Sequence, residues 1–179
     1  GDCQRCAQAA GRVRIVHGQG DPTARLLVVT TAPGPAEEAA NAGLQGEAGQ
    51  LFDRMIGAMG LKRSDLWLTT LVLCRTPGDG PPDRAAVAAC SGFLRAQFNA
   101  IRPETVLLFG APAAQLLFQS PRPLAELRGR WHDVIGLPVL ATHAPEDMLR
   151  EPALKREAWS DLQQIMQRLG LVAPAATRT

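Results

Sequence analysis

The hydrophobic positions of this chain fall into two alternating kinds of pattern. Arg25–Thr31 is a short, β-branched apolar run that ends at Ala32-Pro33-Gly34, as a buried strand feeding a loop would. From Glu47 to Met59, Leu51, Met55, Ile56 and Met59 recur at helical spacing, and Gly60 stops the pattern. Leu66–Leu73 predicts a second strand, and Thr76–Pro82, rich in Pro and Gly, predicts a loop. Asp83–Ile101 predicts a helix with Val87, Leu94, Phe98 and Ile101 on one stripe. Thr105–Phe109 reads as a third strand, Ala111–Phe118 as a short helix and Leu137–Thr142 as a fourth strand. Leu154, Ala158, Leu162, Ile165, Met166 and Leu169 mark a last amphipathic helix. No internal repeat is visible.

Strands that alternate with helices predict a three-layer α/β domain, with a short, mainly parallel central sheet of about four strands covered on both faces. One such domain is expected over residues 3–170, followed by a flexible tail over 171–179. In folds of this kind, sites form at the carboxyl ends of the strands. Those ends are Thr30–Gly34, Thr70–Cys74, Gly110 and His143.

Composition narrows the function classes. The formal net charge is +2, so no global field draws the chain to nucleic acid, and any such partner must meet a local patch. No apolar run approaches the ~20 residues that a membrane-spanning helix needs. There is no charged-then-apolar opening of a secretory signal. A cytoplasmic monomer is expected. The chain opens on Gly1 rather than Met, which leaves upstream sequence an open question.

Four cysteines carry the clearest chemistry. Cys3 and Cys6 form a C-x-x-C pair, and Cys74 and Cys90 follow singly. Four are too few for a disulfide-stapled secreted scaffold. Two alternatives stand: buried free thiols beside an incidental pair, or four thiolates around a metal or iron–sulfur cluster. Spacing alone does not choose between zinc and iron–sulfur.

The order of these features carries a resemblance. Cys3-Gln-Arg-Cys6 and Gly18-Gln-Gly-Asp-Pro22 precede Leu26–Gly34, Gly46–Leu51 and Leu68–Arg75. Ala89-Cys90 and Arg128-Gly-Arg-Trp131 then precede Thr142–Arg150. From Cys3 to about Gly170 the chain resembles the iron–sulfur (family 4) branch of the uracil-DNA glycosylase superfamily. The resemblance implies that fold, DNA as partner, and a [4Fe-4S] cluster held by Cys3, Cys6, Cys74 and Cys90. It also implies base flipping, in which a deaminated base is swung out of the stack into a pocket and its glycosidic bond is hydrolysed.

Carried over position by position, Ala32, Pro33 and Gly34 keep the centre of the family's first motif, usually Gly-Glu-Ala-Pro-Gly. His143 is aligned with the histidine that opens the second, where it would stabilise charge on the leaving base. Met148, Leu149 and Arg150 keep the end of that motif and are expected to press into DNA. The departures fall on the chemistry. Thr30 and Thr31 replace glycine and glutamate, which leaves Thr31 to orient water. Leu44 replaces a stacking Phe and offers no π-face. Thr70 replaces the Asn that reads uracil. Glu146 and Asp147 add negative charge to a DNA-facing loop.

Two function classes follow: base excision with altered or reduced uracil activity, or a degenerate glycosylase fold used as a module that binds nucleic acid or a protein. An iron–sulfur redox sensor is a third. Arg122, Arg128, Arg130, Arg150, Lys155 and Arg156 form either a phosphate-facing rim or a solvated surface.

Overall fold

The computed structural model describes residues 2–174. Six strands build one sheet: β1 (Gln19–Gly20), β2 (Leu26–Thr30), β3 (Trp67–Thr70), β4 (Thr105–Phe109), β5 (Trp131–Val134) and β6 (Leu137–Thr142). Their order is β1-β3-β2-β4-β6-β5. The four central strands are parallel, with Val28 opposite Leu68 and Leu107, and Leu107 opposite Leu140. The two edge strands, β1 and β5, are antiparallel.

The four expected strands are therefore the parallel core, and the sheet gains two edges. Neither edge is an apolar run. Both residues of β1 are exposed, and Trp131-His-Asp-Val134 alternates between exposed and half-buried positions. The second expected strand is shorter than Leu66–Leu73, because the chain turns after Thr70 while Leu71, Val72 and Leu73 stay buried.

Among the described residues, seven α-helices cover the sheet: α1 (Pro35–Ala40), α2 (Gly46–Ala58), α3 (Arg84–Ile101), α4 (Ala111–Leu117), α5 (Leu124–Leu127), α6 (Pro145–Arg150) and α7 (Leu154–Leu169). The strand period of two divides the core into two layers. Leu27, Val29, Val106, Leu108, Val139 and Ala141 face α3, α4 and α5. Leu26, Val28, Leu107, Phe109 and Leu140 face α2 and α7, and there Phe52 and Phe109 meet edge to face at 5.9 Å.

The Asp83 carboxylate caps α3 by accepting from the Ala86 N–H at 2.6 Å, a contact worth about 1 kcal/mol. Beyond α7, Leu171 still packs on the second core layer, and residues 175–179 of the expected tail lie outside the described residues. No helix among the described residues is long and apolar enough to cross a membrane.

Candidate functional site

A cavity of about 750 Å³ opens at the carboxyl ends of β2 and β4, bounded by α1, α2 and α6. Its first wall is Thr30, Thr31 and the Ala32-Pro33-Gly34 turn. The Thr30 and Thr31 carbonyls accept from the N–H groups of Leu71 and Val72, which fixes this turn against the end of β3.

The second wall is the loop that carries Leu44 and Gln45. Glu37 joins the two walls, because its carboxylate accepts from the Gly34 N–H at 3.2 Å and the Gln45 N–H at 2.7 Å. Arg63 clamps the loop from behind, donating to the carbonyls of Gly43 and Leu44 at 2.8 and 2.7 Å while paired with Asp53. Residue 49 must be glycine for this packing, since a Cβ there would stand 2.2 Å from the Leu44 carbonyl oxygen. Leu44 itself is buried, with its backbone in the left-handed region at φ 49°. No sequence pattern marks Gln45. It is the side-chain amide of the lining, and its Nε2 donates to the Gly43 and Leu44 carbonyls.

The third wall is Phe109, Gly110 and Ala144. Gly110 turns β4 into α4 at φ 89°, and a Cβ there would lie 3.3 Å from that of Ala144.

Here the structure departs from what the motif resemblance implies. His143 is not among the cavity-lining residues. Beyond the end of β6 at Thr142, Ala144 reaches the cavity, whereas Thr142 and His143 both turn toward α7. There His143 Nε2 hydrogen-bonds Glu157 Oε2 at 2.9 Å. Arg128 joins the same group, 3.1 Å from the Glu157 carboxylate, and forms a two-pronged pair with Asp161 at 2.9 and 3.0 Å. Asp161 also accepts from the Thr142 hydroxyl at 2.6 Å.

The His143 hydrogen bond and the Arg128 charge hold the Glu157 carboxyl below its ordinary range. Burial pushes Asp161 up, against the pull of Thr142 and Arg128. Arg128 is therefore an internal counter-ion and not part of a phosphate-facing rim. Arg128→Ala leaves Asp161, 1% exposed, without its cation. An unfolding free energy lower by about 3–5 kcal/mol is expected in urea titrations.

Thr70 is also absent from the cavity lining. It is buried, and its hydroxyl donates to the Val72 carbonyl at 2.7 Å, so it closes the turn after β3. In the last motif, Met148 is 1% exposed and packs with Leu51 and Ala158, so it has no free surface to press into DNA. Its neighbour Leu149 is half-buried on the same cluster, and Arg150 is exposed, paired with Asp147 at the cavity lip.

Among the described residues the lining holds five carboxylates, Glu37, Glu47, Asp79, Glu146 and Asp147, and one guanidinium, that of Arg150. Glu146 is reachable from solvent yet crowded by the cavity walls. Desolvation raises its pKa, and the charges of Glu37 and Asp147 add to the shift.

The four cysteines are brought to one flank. Cys74 and Cys90 are buried; Cys3 and Cys6 are half-buried. Cys6 packs in a small cluster with Val72, Ala86 and Cys90. Burial raises the pKa of Cys74 and Cys90; Cys90 and Cys6 add to the shift at Cys74, and Cys6 and Cys3 to that at Cys90. Arg12 stands 3.9 Å from Cys74 Sγ, and Arg5 acts on Cys90 in the opposing direction. The N-terminal segment is strapped down by the Val16 N–H on the Leu73 carbonyl, and by the Glu38 carboxylate accepting from the Val13 N–H at 2.7 Å. Among the described residues no group of three or more His, Cys, Asp or Glu is gathered tightly enough to hold a single metal ion. The donor set suits a larger group: four soft thiols on one flank with two arginines beside them.

A family model described as the uracil DNA glycosylase superfamily matches residues 17–163. Three relatives are each named as a type-4 uracil-DNA glycosylase. That of Pyrobaculum aerophilum is 30% identical over 169 residues, covering 90% of this chain and 86% of its own length. That of Archaeoglobus fulgidus is 29% identical, covering 96% and 90%. That of Saccharolobus solfataricus is 28% identical, covering 93% and 82%.

Proposed function

The chain belongs to the uracil DNA glycosylase superfamily, and from that membership we propose that it is a [4Fe-4S] protein of DNA base excision with strongly reduced uracil activity. One observation carries the reading. The cavity keeps the Ala32-Pro33-Gly34 turn and an aromatic wall at Phe109, while the β6 end presents Ala144 to it and His143 is held by Glu157.

Hydrolysis of an N-glycosidic bond sends the bonding electron pair out with the base while the oxygen of water bonds to the sugar carbon. A base in this cavity would lie among Thr31, Leu44 and Phe109. Thr31 is the hydroxyl that would hold the water, and it cannot take its proton near neutral pH. No imidazole lines the cavity to stabilise the leaving base, and losing one such donor typically costs ~10²–10³ in rate. The position expected to read the base edge carries Thr70, whose hydroxyl is spent on Val72. Each unpaired polar group left at a buried base edge costs a further ~1–3 kcal/mol. The carboxylates at the lip oppose phosphate binding.

In the same proposal Cys3, Cys6, Cys74 and Cys90 hold the cluster. When bound, it supplies iron–thiolate bonds that fasten the N-terminal segment to the end of β3 and to α3. Arg5 and Arg12 offset the negative charge of four thiolates.

The test is single-turnover release of free base from uracil-, hypoxanthine- and xanthine-containing single and double strands. The Pyrobaculum aerophilum enzyme is run alongside. Uracil release at least ~10²-fold slower than that enzyme is expected. Release at the same rate would overturn the reading. Zero release of every base, with binding of the same strands intact, would move the protein to the second reading, a base-binding module without chemistry. The enclosure of His143 in the Glu157–Arg128–Asp161 network is what favours that alternative.

A further inference from the structure

On the opposite face of the sheet from α2 and α7 lies a groove that the base site does not use. Its main hollow, about 430 Å³, runs between α3, the end of α4 and the β5–β6 turn. A second hollow of about 340 Å³ continues it, and Phe98 and Ile135 line both. The floor is apolar, with Leu71, Leu94 and Phe98 buried and Leu116, Leu117 and Val134 half-buried. At the rim, Ile135 is 62% exposed and held there by a left-handed backbone, φ 51°, in the tight turn before Gly136.

The charged side chains that line this groove are all of one sign. Arg84 and Arg95 line the main hollow and Arg102 the second, and no carboxylate lines either. Helix α3 contains no acidic residue, and the Asp83 carboxylate at its start is committed to the helix cap. Arg84 and Arg95 are eleven residues apart on α3, which puts them within about 20° of each other around its axis and ~16 Å apart along it. None of the three arginines is ion-paired with a carboxylate among the described residues.

We propose that this groove docks an acidic amphipathic helix of a partner protein, with apolar side chains seated against Phe98 and Ile135 and carboxylates along the Arg84–Arg95–Arg102 stripe. An apolar trough gives such a helix its anchors, and the flanking cations fix its register. A phosphate backbone would use the arginines but would have no use for the apolar floor or for Ile135.

The test is fluorescence anisotropy with a labelled leucine–glutamate helix of about 18 residues and its leucine–lysine counterpart. The glutamate peptide is expected to bind, and the lysine peptide to bind at least ~10-fold more weakly. Arg84→Glu with Arg95→Glu, and separately Ile135→Asp, should each weaken the glutamate peptide at least ~10-fold. Both variants change exposed side chains, and circular dichroism checks their fold. Absence of binding, or binding unmoved by either variant, overturns the proposal. Displacement of the peptide by a DNA duplex whose own binding is lost on Arg reversal and unmoved by Ile135→Asp also overturns it, in favour of nucleic acid.

Discussion

Cys74→Ser and Cys90→Ser are each expected to strip the protein of iron and to cost several kcal/mol of folding stability. Both thiols are buried, and the segment carrying Cys3 and Cys6 has little core of its own. It is tied to the domain by Val16, by the Glu38 carboxylate and by the packing of Cys6. When a site exists only in the folded chain, the free energy of holding the group becomes folding free energy. For a domain of this size, each kcal/mol corresponds to ~2–4 °C in Tm. Iron and acid-labile sulfide per chain, measured on anaerobic protein beside a thermal melt, check both effects. Wild-type protein that is iron-free when purified anaerobically, and that melts no higher than Cys74→Ser, would contradict the proposed cluster.

The second large effect is a gain. Thr31→Glu, Thr70→Asn and Ala144→His together are expected to raise uracil release by at least ~10²-fold over the unmodified chain. The choice of residue 144 comes from the backbone at the end of β6, which points Ala144 into the cavity and His143 toward Glu157. Residue 110 opposite is glycine, and a Cβ there would lie 3.3 Å from that of Ala144. Thr31→Glu with Thr70→Asn alone, leaving His143 as the sole imidazole nearby, is expected to gain far less. Equal gain by the two-residue and three-residue variants in single-turnover assays would return the role to His143. A thermal melt of each variant separates lost folding from lost chemistry.

These contrasts show which parts of the molecule could be read along the chain. The runs at 26–30, 105–109 and 137–142 are apolar at consecutive positions because both faces of a central parallel strand are buried. They were legible for that reason. The edge strands were not, since Gln19-Gly20 and Trp131–Val134 pair on one side only and carry no such run. The cavity turn Thr30–Gly34 was legible from its place after a strand. The orientation of His143 was not: β6 ends at Thr142, and past that end the alternation of a strand no longer says which side a residue takes. Only the three-dimensional position of Glu157 and Asp161, on a helix that begins eleven residues further on, shows which side His143 takes. Met148 fits a wedge by residue type, and its burial against Leu51 depends on how α6 packs on α2. Glu37 acts as the fastening between two cavity walls, a role that depends on Gly34 and Gln45 meeting in the fold.

Whether this cavity is the base site, with its reactive positions replaced, is decided by a crystal structure with a short single strand carrying an uncleavable deoxyuridine analogue. The uracil ring is expected beside Thr31, Leu44 and Phe109, with Ala144 facing it and His143 still on Glu157. A ring bound elsewhere, or a His143 imidazole released from Glu157 and within hydrogen-bonding reach of the uracil, would contradict it.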